Sequence, residues 1–282
     1  QEASRLVNLL LYAIASDLIG VHVILSIRSD FIDACSAFRS LTEQMNRSKY
    51  LLPPMSGEAL SRAISEPVRL AGASVEDGFV ETLLDDLEEV EGRLPLLQHA
   101  LMRTWNHWAH RKKNDEPVSL VDYKAVGTVR NALSSHLDEI YESLDRRQKV
   151  ICERLFKTIT AKGEEHNGFR KPATLSTIAR IAQCTVDETA EVVEIFRKPG
   201  RCYLAPQAPV PLSQECAIEL SHESMIRNWE RLSVWVDEEA ESIKMYIRLS
   251  EASALYQQGR TELLKPPELQ MALRWRETQQ PT

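Results

Sequence analysis

LSTIARIAQCTVDETAEVVEIF, Leu175 to Phe196, decides how the middle of this chain is read. It predicts a short helix over Leu175–Ala182, a turn at Cys184-Thr185 and another helix over Val186–Phe196. Upstream lie a longer helix, Arg146–Ile159, and a Gly-containing polar loop. Downstream, CYLA (Cys202–Ala205) and AIEL (Ala217–Leu220) read as two strands bracketing a Pro-rich tip, Pro206–Pro211. Three helices with a short turn between the second and third, followed by a hairpin, is the winged helix-turn-helix layout.

In a DNA-binding module of that layout the third helix enters the major groove and needs Lys or Arg for the phosphates. Here it presents Asp187, Glu188, Glu191 and Glu194, with no basic residue between Val186 and Ile195; only Arg180, Arg197 and Lys198 flank it. Such a face repels a duplex, so packing within a protein is the preferred reading. The whole chain agrees, with 34 Lys and Arg against 41 Asp and Glu, a net charge of −7. It has no overall pull toward nucleic acid or anionic lipid.

From Leu51 to Asp145 the pattern is helical. Ser56 in LLPPMSGEALSRAI is placed to cap one helix. Ser74–Glu91 reads as a second, with Phe79, Val80, Leu83, Leu84, Leu87 and Val90 on one side. Its other side carries Glu76, Asp77, Glu81, Asp85, Asp86, Glu88, Glu89 and Glu91, read as a solvated face rather than a metal site. Gly92 ends it, and Leu94-Pro95-Leu96-Leu97 opens another helix running through Leu101, Trp105 and Trp108. One more carries Leu133, Leu137, Ile140, Tyr141 and Leu144.

At the other end, Met225, Trp229, Leu232 and Val236 form one stripe, and later helices carry Ile247, Leu249 and Leu255, then Leu269, Leu273 and Trp275. The chain opens with LVNLLLYAIA, Leu6–Ala15, read as a buried helix, and VHVILSI, Val21–Ile27, read as a strand buried in a parallel sheet. A parallel strand needs neighbours for its backbone groups, so the rest of that sheet is expected upstream of Gln1, making the chain a fragment.

At 282 residues, 43% apolar and 27% charged with 10 Gly and 13 Pro, the composition excludes disordered and collagen-like classes and fits roughly two domains. The five cysteines are scattered, which argues against a disulfide framework or zinc ribbon. No apolar stretch approaches the ~18 residues of a membrane span, so a cytoplasmic location without membrane contact is expected. No phosphate-binding loop, zinc-protease, nucleophile-elbow or dinucleotide motif occurs. His107 and His110, one turn apart, have no third ligand or nearby acid in the pattern and are read as surface and packing residues rather than metal ligands.

Arg28-Ser29-Asp30 is more informative, because ligands of open α/β sheets bind beyond the carboxyl ends of strands. Arg28 there could hold a terminal phosphate bidentately, or pair with Asp30 or Asp33 to fix the loop. Spacing alone does not separate the two.

Three segments together carry a resemblance. VHVILSIRSDF (Val21–Phe31) resembles the strand and sensor 1 arginine of the STAND NTPase core, and EGRLPLLQHAL (Glu91–Leu101) is similar to the G-x-P-L signature of that family's helical lid. ELSHESMIRNW (Glu219–Trp229) resembles the segment that ends the family's winged helix, where a histidine followed by an acid matches the Met-His-Asp motif of NB-ARC relatives, with Ser221 and Glu223 as departures. Their order, with LLPPMSGEALSRAISEPV and FRKPGRCYL between them, is similar to the C-terminal part of the nucleotide-binding module of the novel bacterial STAND group, often joined to β-propeller repeats.

The resemblance implies a mainly α chain: a remnant of a parallel α/β NTPase core at 1–50, a helical lid at 51–144, a winged helix-turn-helix at 145–222 and C-terminal helices at 223–282. It implies that Arg28 reads the γ-phosphate, Pro95 packs on the adenine and His222 donates to the β-phosphate of ADP. The cofactor would be ADP or ATP with Mg in the full-length parent, with none tightly bound to the fragment. The phosphate-binding loop and Mg-binding strand would precede Gln1, so the chain alone is expected to be inactive. Implied partners are the upstream half of the core, C-terminal β-propeller repeats, an effector domain and further copies of the protein. Lid and wing would close over ADP, and exchange for ATP would open the molecule to oligomerise. The competing readings are a winged-helix DNA-binding transcriptional regulator and a helical adaptor.

Overall fold

Apolar residues recur at helical spacing through most of the sequence, and the structure, a computed structural model, is mainly helical with a few short antiparallel strands. It describes residues 2–16, 22–27, 32–88, 93–112, 116–163 and 168–279, which fall in two units, 1–56 and 57–282.

The first unit holds α1 (Glu2–Ala15), α2 (Ile32–Cys35) and α3 (Arg39–Ser48), with Leu41 buried. Two expectations change here. Helix α1 forms, but Leu6, Leu9 and Ile14 stand exposed rather than buried. Residues 22–27 join no sheet, and Ile24 is 91% exposed. A β-branched run becomes a strand only where neighbours pair its N–H and C=O groups, and no such neighbour exists among the described residues of this unit. Arg28, Ser29 and Asp30 lie outside the described residues.

The second unit begins with α4 (Gly57–Leu70), α5 (Phe79–Glu88), α6 (Arg93–Arg111), α7 (Leu120–Ala125) and α8 (Thr128–Glu142). Helix α5 starts five residues later than the sequence pattern suggested. Val75 instead bridges Val118 in parallel, Val118 N–H donates to Ser74 C=O (2.8 Å) and Glu76 N–H to Val118 C=O (2.9 Å). Gly78, at φ +78°, then turns the chain into the helix, a conformation glycine adopts without a Cβ clash. Two of the acids are not merely solvated: Glu76 accepts from the Leu120 N–H (2.8 Å) and Asp86 from the Tyr123 hydroxyl (2.7 Å).

Helix α9 (Arg146–Thr158) follows, capped by Asp145 and Gln148 in a reciprocal capping box. A hairpin of β1 (Thr160–Lys162) and β2 (Gly168–Arg170) comes next, then β3 (Ala173–Thr174), α10 (Leu175–Ala182), α11 (Val186–Arg197), β4 (Leu204–Ala205) and β5 (Ala217–Leu220). The last three strands form an antiparallel sheet in the order β3-β5-β4. Buried Arg197 ties the Pro-rich tip to α11, donating to the carbonyls of Pro206 (2.8 Å) and Val210. Helices α12 (Ser224–Asn228), α13 (Glu230–Gln257) and α14 (Glu268–Gln279) close the chain.

The core of this unit centres on Trp229, which is fully buried and meets Phe156 and Trp235 edge-on. Its indole N–H donates to Asp138 of α8 (3.0 Å), and Arg231 donates to the same carboxylate (3.0 Å). These contacts fasten α13 to both α8 and α9. They hold the segment from β5 to α13, where His222 sits, against the rest of the unit.

Candidate functional site

Pro95 occupies the third position of α6, within the first turn, where a backbone N–H has no intrahelical acceptor to lose. Its side chain is half-buried. One turn on, His99 projects toward α8 and the loop before β4. There its ring stacks on His136 of α8, centroids 5.3 Å apart, and both rings face Tyr203. The Tyr203 hydroxyl lies 2.7 Å from His136 Nδ1 and 3.2 Å from His99 Nε2.

Burial, followed by the Arg103 guanidinium, pushes His99 down to about 4 and His136 to about 3. His99 and Arg201 press further on His136. Both imidazoles are therefore neutral at pH 7, which lets one hydroxyl donate to one ring and accept from the other. Burial also pushes the Tyr203 phenol upward, so it stays protonated. Arg103 is held beside the cluster by Glu139 of α8, at 2.7 and 2.9 Å.

The Tyr203 backbone reaches the second expected site residue. Its N–H donates to Phe196 C=O (3.0 Å), and its C=O accepts from the Ser221 N–H (3.0 Å). Ser221 immediately precedes His222, which is exposed just beyond β5. Partial burial and then the neighbouring Arg170 lower the His222 pKa, so the ring is neutral at pH 7 and offers one N–H donor. Arg170, on β2, donates to Leu220 C=O (3.2 Å) and faces Glu219 and Glu223 at 3.8 and 3.6 Å.

Arg170 stays beside His222 because β2 is pressed onto α12. A Cβ on Gly168 would lie 2.4 Å from Ile226 Cγ2, and Ile226 is buried. Gly168→Ala is therefore expected to destabilise the protein by roughly 1–3 kcal/mol, as overpacked cores do. Urea unfolding checks it; an unchanged midpoint would show that the strand can lift off without penalty.

A second buried polar centre lies elsewhere on α6. His107, read from sequence as packing without an acid nearby, has its Nδ1 2.9 Å from the carboxylate of Asp122, which is fully buried on α7. Arg111 and Ser119 donate to the same carboxylate. The side-chain hydrogen bonds of this centre among the described residues run within residues 107–122, and they fasten α7 to α6. Among the described residues no group of three or more His, Cys, Asp and Glu is placed to hold a metal ion, and no helix is long and apolar enough to cross a membrane.

Of the three residues the sequence singled out, Arg28 is outside the described residues, while Pro95 and His222 belong to one unit; Tyr203 hydrogen-bonds His99, one turn after Pro95, and Ser221, next to His222. His99, His136, Tyr203 and Arg170 were not singled out. His99 stood within EGRLPLLQHAL, one turn after Pro95, which was the available signal; Tyr203 is 104 residues from His99 and 67 from His136, beyond any local pattern.

Over residues 1–262 the chain matches the family described as Novel STAND NTPase 1. No curated protein and no solved structure matches it.

Proposed function

The chain belongs to the Novel STAND NTPase 1 family, and from that premise we propose that it supplies the nucleotide-clamping part of a signal-transduction ATPase. In this reading residues 51–144 are the helical lid, and α9, α10 and α11 with the β3-β5-β4 sheet are the winged helix. Pro95 packs against the adenine, His222 donates its N–H to the β-phosphate of ADP, and Arg28 senses the γ-phosphate.

The observation that carries the proposal is the corner at the end of β5. There a neutral, exposed imidazole stands beside the Arg170 guanidinium, held by Leu220 C=O. A directional N–H donor next to a fixed cation suits a phosphate oxygen. Glu219 and Glu223 face the same guanidinium at 3.8 and 3.6 Å and offset its charge, so a phosphate would be held here by directed N–H donors rather than by net positive charge. The described residues offer no Mg ligand set, and the acids that hold Mg are assigned to the part of the module that carries the phosphate-binding loop.

The chain would act as a switch. His222 supplies a contact specific to ADP, and only such differential contact can shift an equilibrium between closed and open arrangements. Closure over ADP would keep the protein from oligomerising, and ATP would release it to bring effector domains together, with β-propeller repeats as the sensing partner. Recognition of DNA is disfavoured by the outer face of α11, where Asp187, Glu191 and Glu194 border one shallow depression together with Lys198, and Glu194 already pairs with Arg197.

His222→Ala in the full-length protein is expected to weaken ADP binding roughly tenfold or more, the worth of one hydrogen bond to a charged group, and to raise basal oligomerisation. Calorimetric titration with light scattering reads both. Unchanged ADP affinity removes the proposed role of His222, and absence of ADP binding in the unaltered protein favours an adaptor.

A further inference from the structure

We infer that Tyr203 is a positioning residue that couples the first turn of α6, which bears Pro95, to the strand end that bears His222. The inference rests on the nucleotide-clamping reading for its purpose, but its structural basis is independent of it. Pro95 and His99 are one turn apart on a single helix, so a shift of that turn carries the imidazole with it. His99 Nε2 lies 3.2 Å from the Tyr203 hydroxyl, and His136 Nδ1, at 2.7 Å, pins the same hydroxyl from α8. At its other end Tyr203 accepts the Ser221 N–H at 3.0 Å, and the next residue is His222.

The connection is direct and stiff. The ring is almost fully buried, and the backbone on both sides of it is hydrogen-bonded, to Phe196 and to Ser221. Cys202, the preceding residue, sits at φ +49°, a left-handed conformation uncommon for a residue other than glycine. That turn aims the phenol inward at the two imidazoles. A ring needed only to fill the core would do as well without a hydroxyl, whereas here the hydroxyl joins α6 and α8 to the sheet.

The consequence is that the Pro95 and His222 contacts form together: the lid turn cannot close on a nucleotide while the β5 end is displaced. Tyr203→Phe tests this in the full-length protein, because it keeps the ring and removes only the bridge. Without nucleotide, amide hydrogen exchange is expected to rise several-fold at residues 96–100 and at 221–222 together, with α9 unchanged. With ADP, Pro95→Ala and His222→Ala are expected to weaken binding non-additively in the native background and additively with Tyr203→Phe.

Exchange that rises only next to residue 203, or the same non-additivity in both backgrounds, would overturn the coupling. If the native protein binds no ADP, the clamping reading fails, and the exchange measurement still decides the coupling. Should Tyr203→Phe fail to fold, His99→Leu removes the bridge from the α6 side and must give the same exchange pattern.

Discussion

Replacing Asp122 by Ala is expected to destabilise the protein by about 3 kcal/mol, the scale for removing one partner of a buried, hydrogen-bonded ion pair. The carboxylate is fully buried, yet it accepts from Arg111 Nε and Nη2 (2.8 and 3.0 Å) and from Ser119 N and Oγ (3.1 and 2.6 Å), and it meets His107 Nδ1. Burial alone would push its pKa up. Hydrogen bonds from Arg111, then Ser119 and His107, outweigh that and hold it well below the usual carboxylate range. Its loss would leave the capping box of α7 open and the Arg111 guanidinium short of its main partner. Part of Arg111 remains solvated, which keeps the figure at the low end of buried-pair penalties. Urea unfolding of Asp122→Ala measures it; a loss under about 1 kcal/mol would place this centre among ordinary surface pairs.

Acidification is expected to produce the second large effect, in a window set by two imidazoles. His99 and His136 titrate at about 4 and about 3 in the folded protein, against 6.5 for a free histidine. Their folded pKa values are depressed, so below pH 6.5 the unfolded chain binds protons that the folded chain refuses. Stability is therefore fully present above that pH and falls as pH drops from 6.5 toward 4, by up to roughly 1.4 kcal/mol per pH unit for each ring. Arg103 and Arg201 face the cluster as cations and oppose its protonation, while Glu139 neutralises part of Arg103. The interval from pH 6.5 to 5 lies above most carboxylate titrations, so the slope there reports histidines with lowered pKa, these two together with His222. Urea midpoints across it should fall steadily, and the fall should largely vanish in His99→Gln/His136→Gln. A flat profile in the native protein would mean that the rings are solvated.

How much of this was legible in the sequence follows from the range of the forces involved. Helix α10 forms over Leu175–Ala182, the span its local pattern predicted, and α9 and α11 start where expected, because caps such as Asp145, Thr174 and Thr185 act locally; both end within one residue of expectation. Strands β4 and β5 also appear where CYLA and AIEL stood, though shorter for the first. Strands β1, β2 and β3, which fall in the stretch read as a polar loop, were missed, since two or three residues carry no period. Val21–Ile27 misled for the opposite reason: its composition favours a strand, but a strand exists only with partners, and composition says nothing of those.

The candidate site divides in the same way. Pro95 and His222 were visible because they lie in segments with recognisable neighbours. The Tyr203 bridge was not, because it joins α6, α8 and the loop before β4 through side chains far apart in sequence. Arg170 escaped notice because it reaches His222 only after β2 is packed on α12 through Gly168 and Ile226. The Asp122 centre shows the converse lesson. His107 was set aside for want of an acid, and the acid lay fifteen residues on, on α7 where it packs against α6.

The central claim is that the imidazole at the end of β5 touches the phosphate of a bound nucleotide. It is tested most directly by following the His222 ring resonances of the full-length protein while ADP is added. The account predicts that they shift and that the ring's pKa rises on saturation, because a phosphate oxygen accepting its N–H favours the protonated form. A His222 signal that stays unchanged while ADP saturates the protein would contradict it.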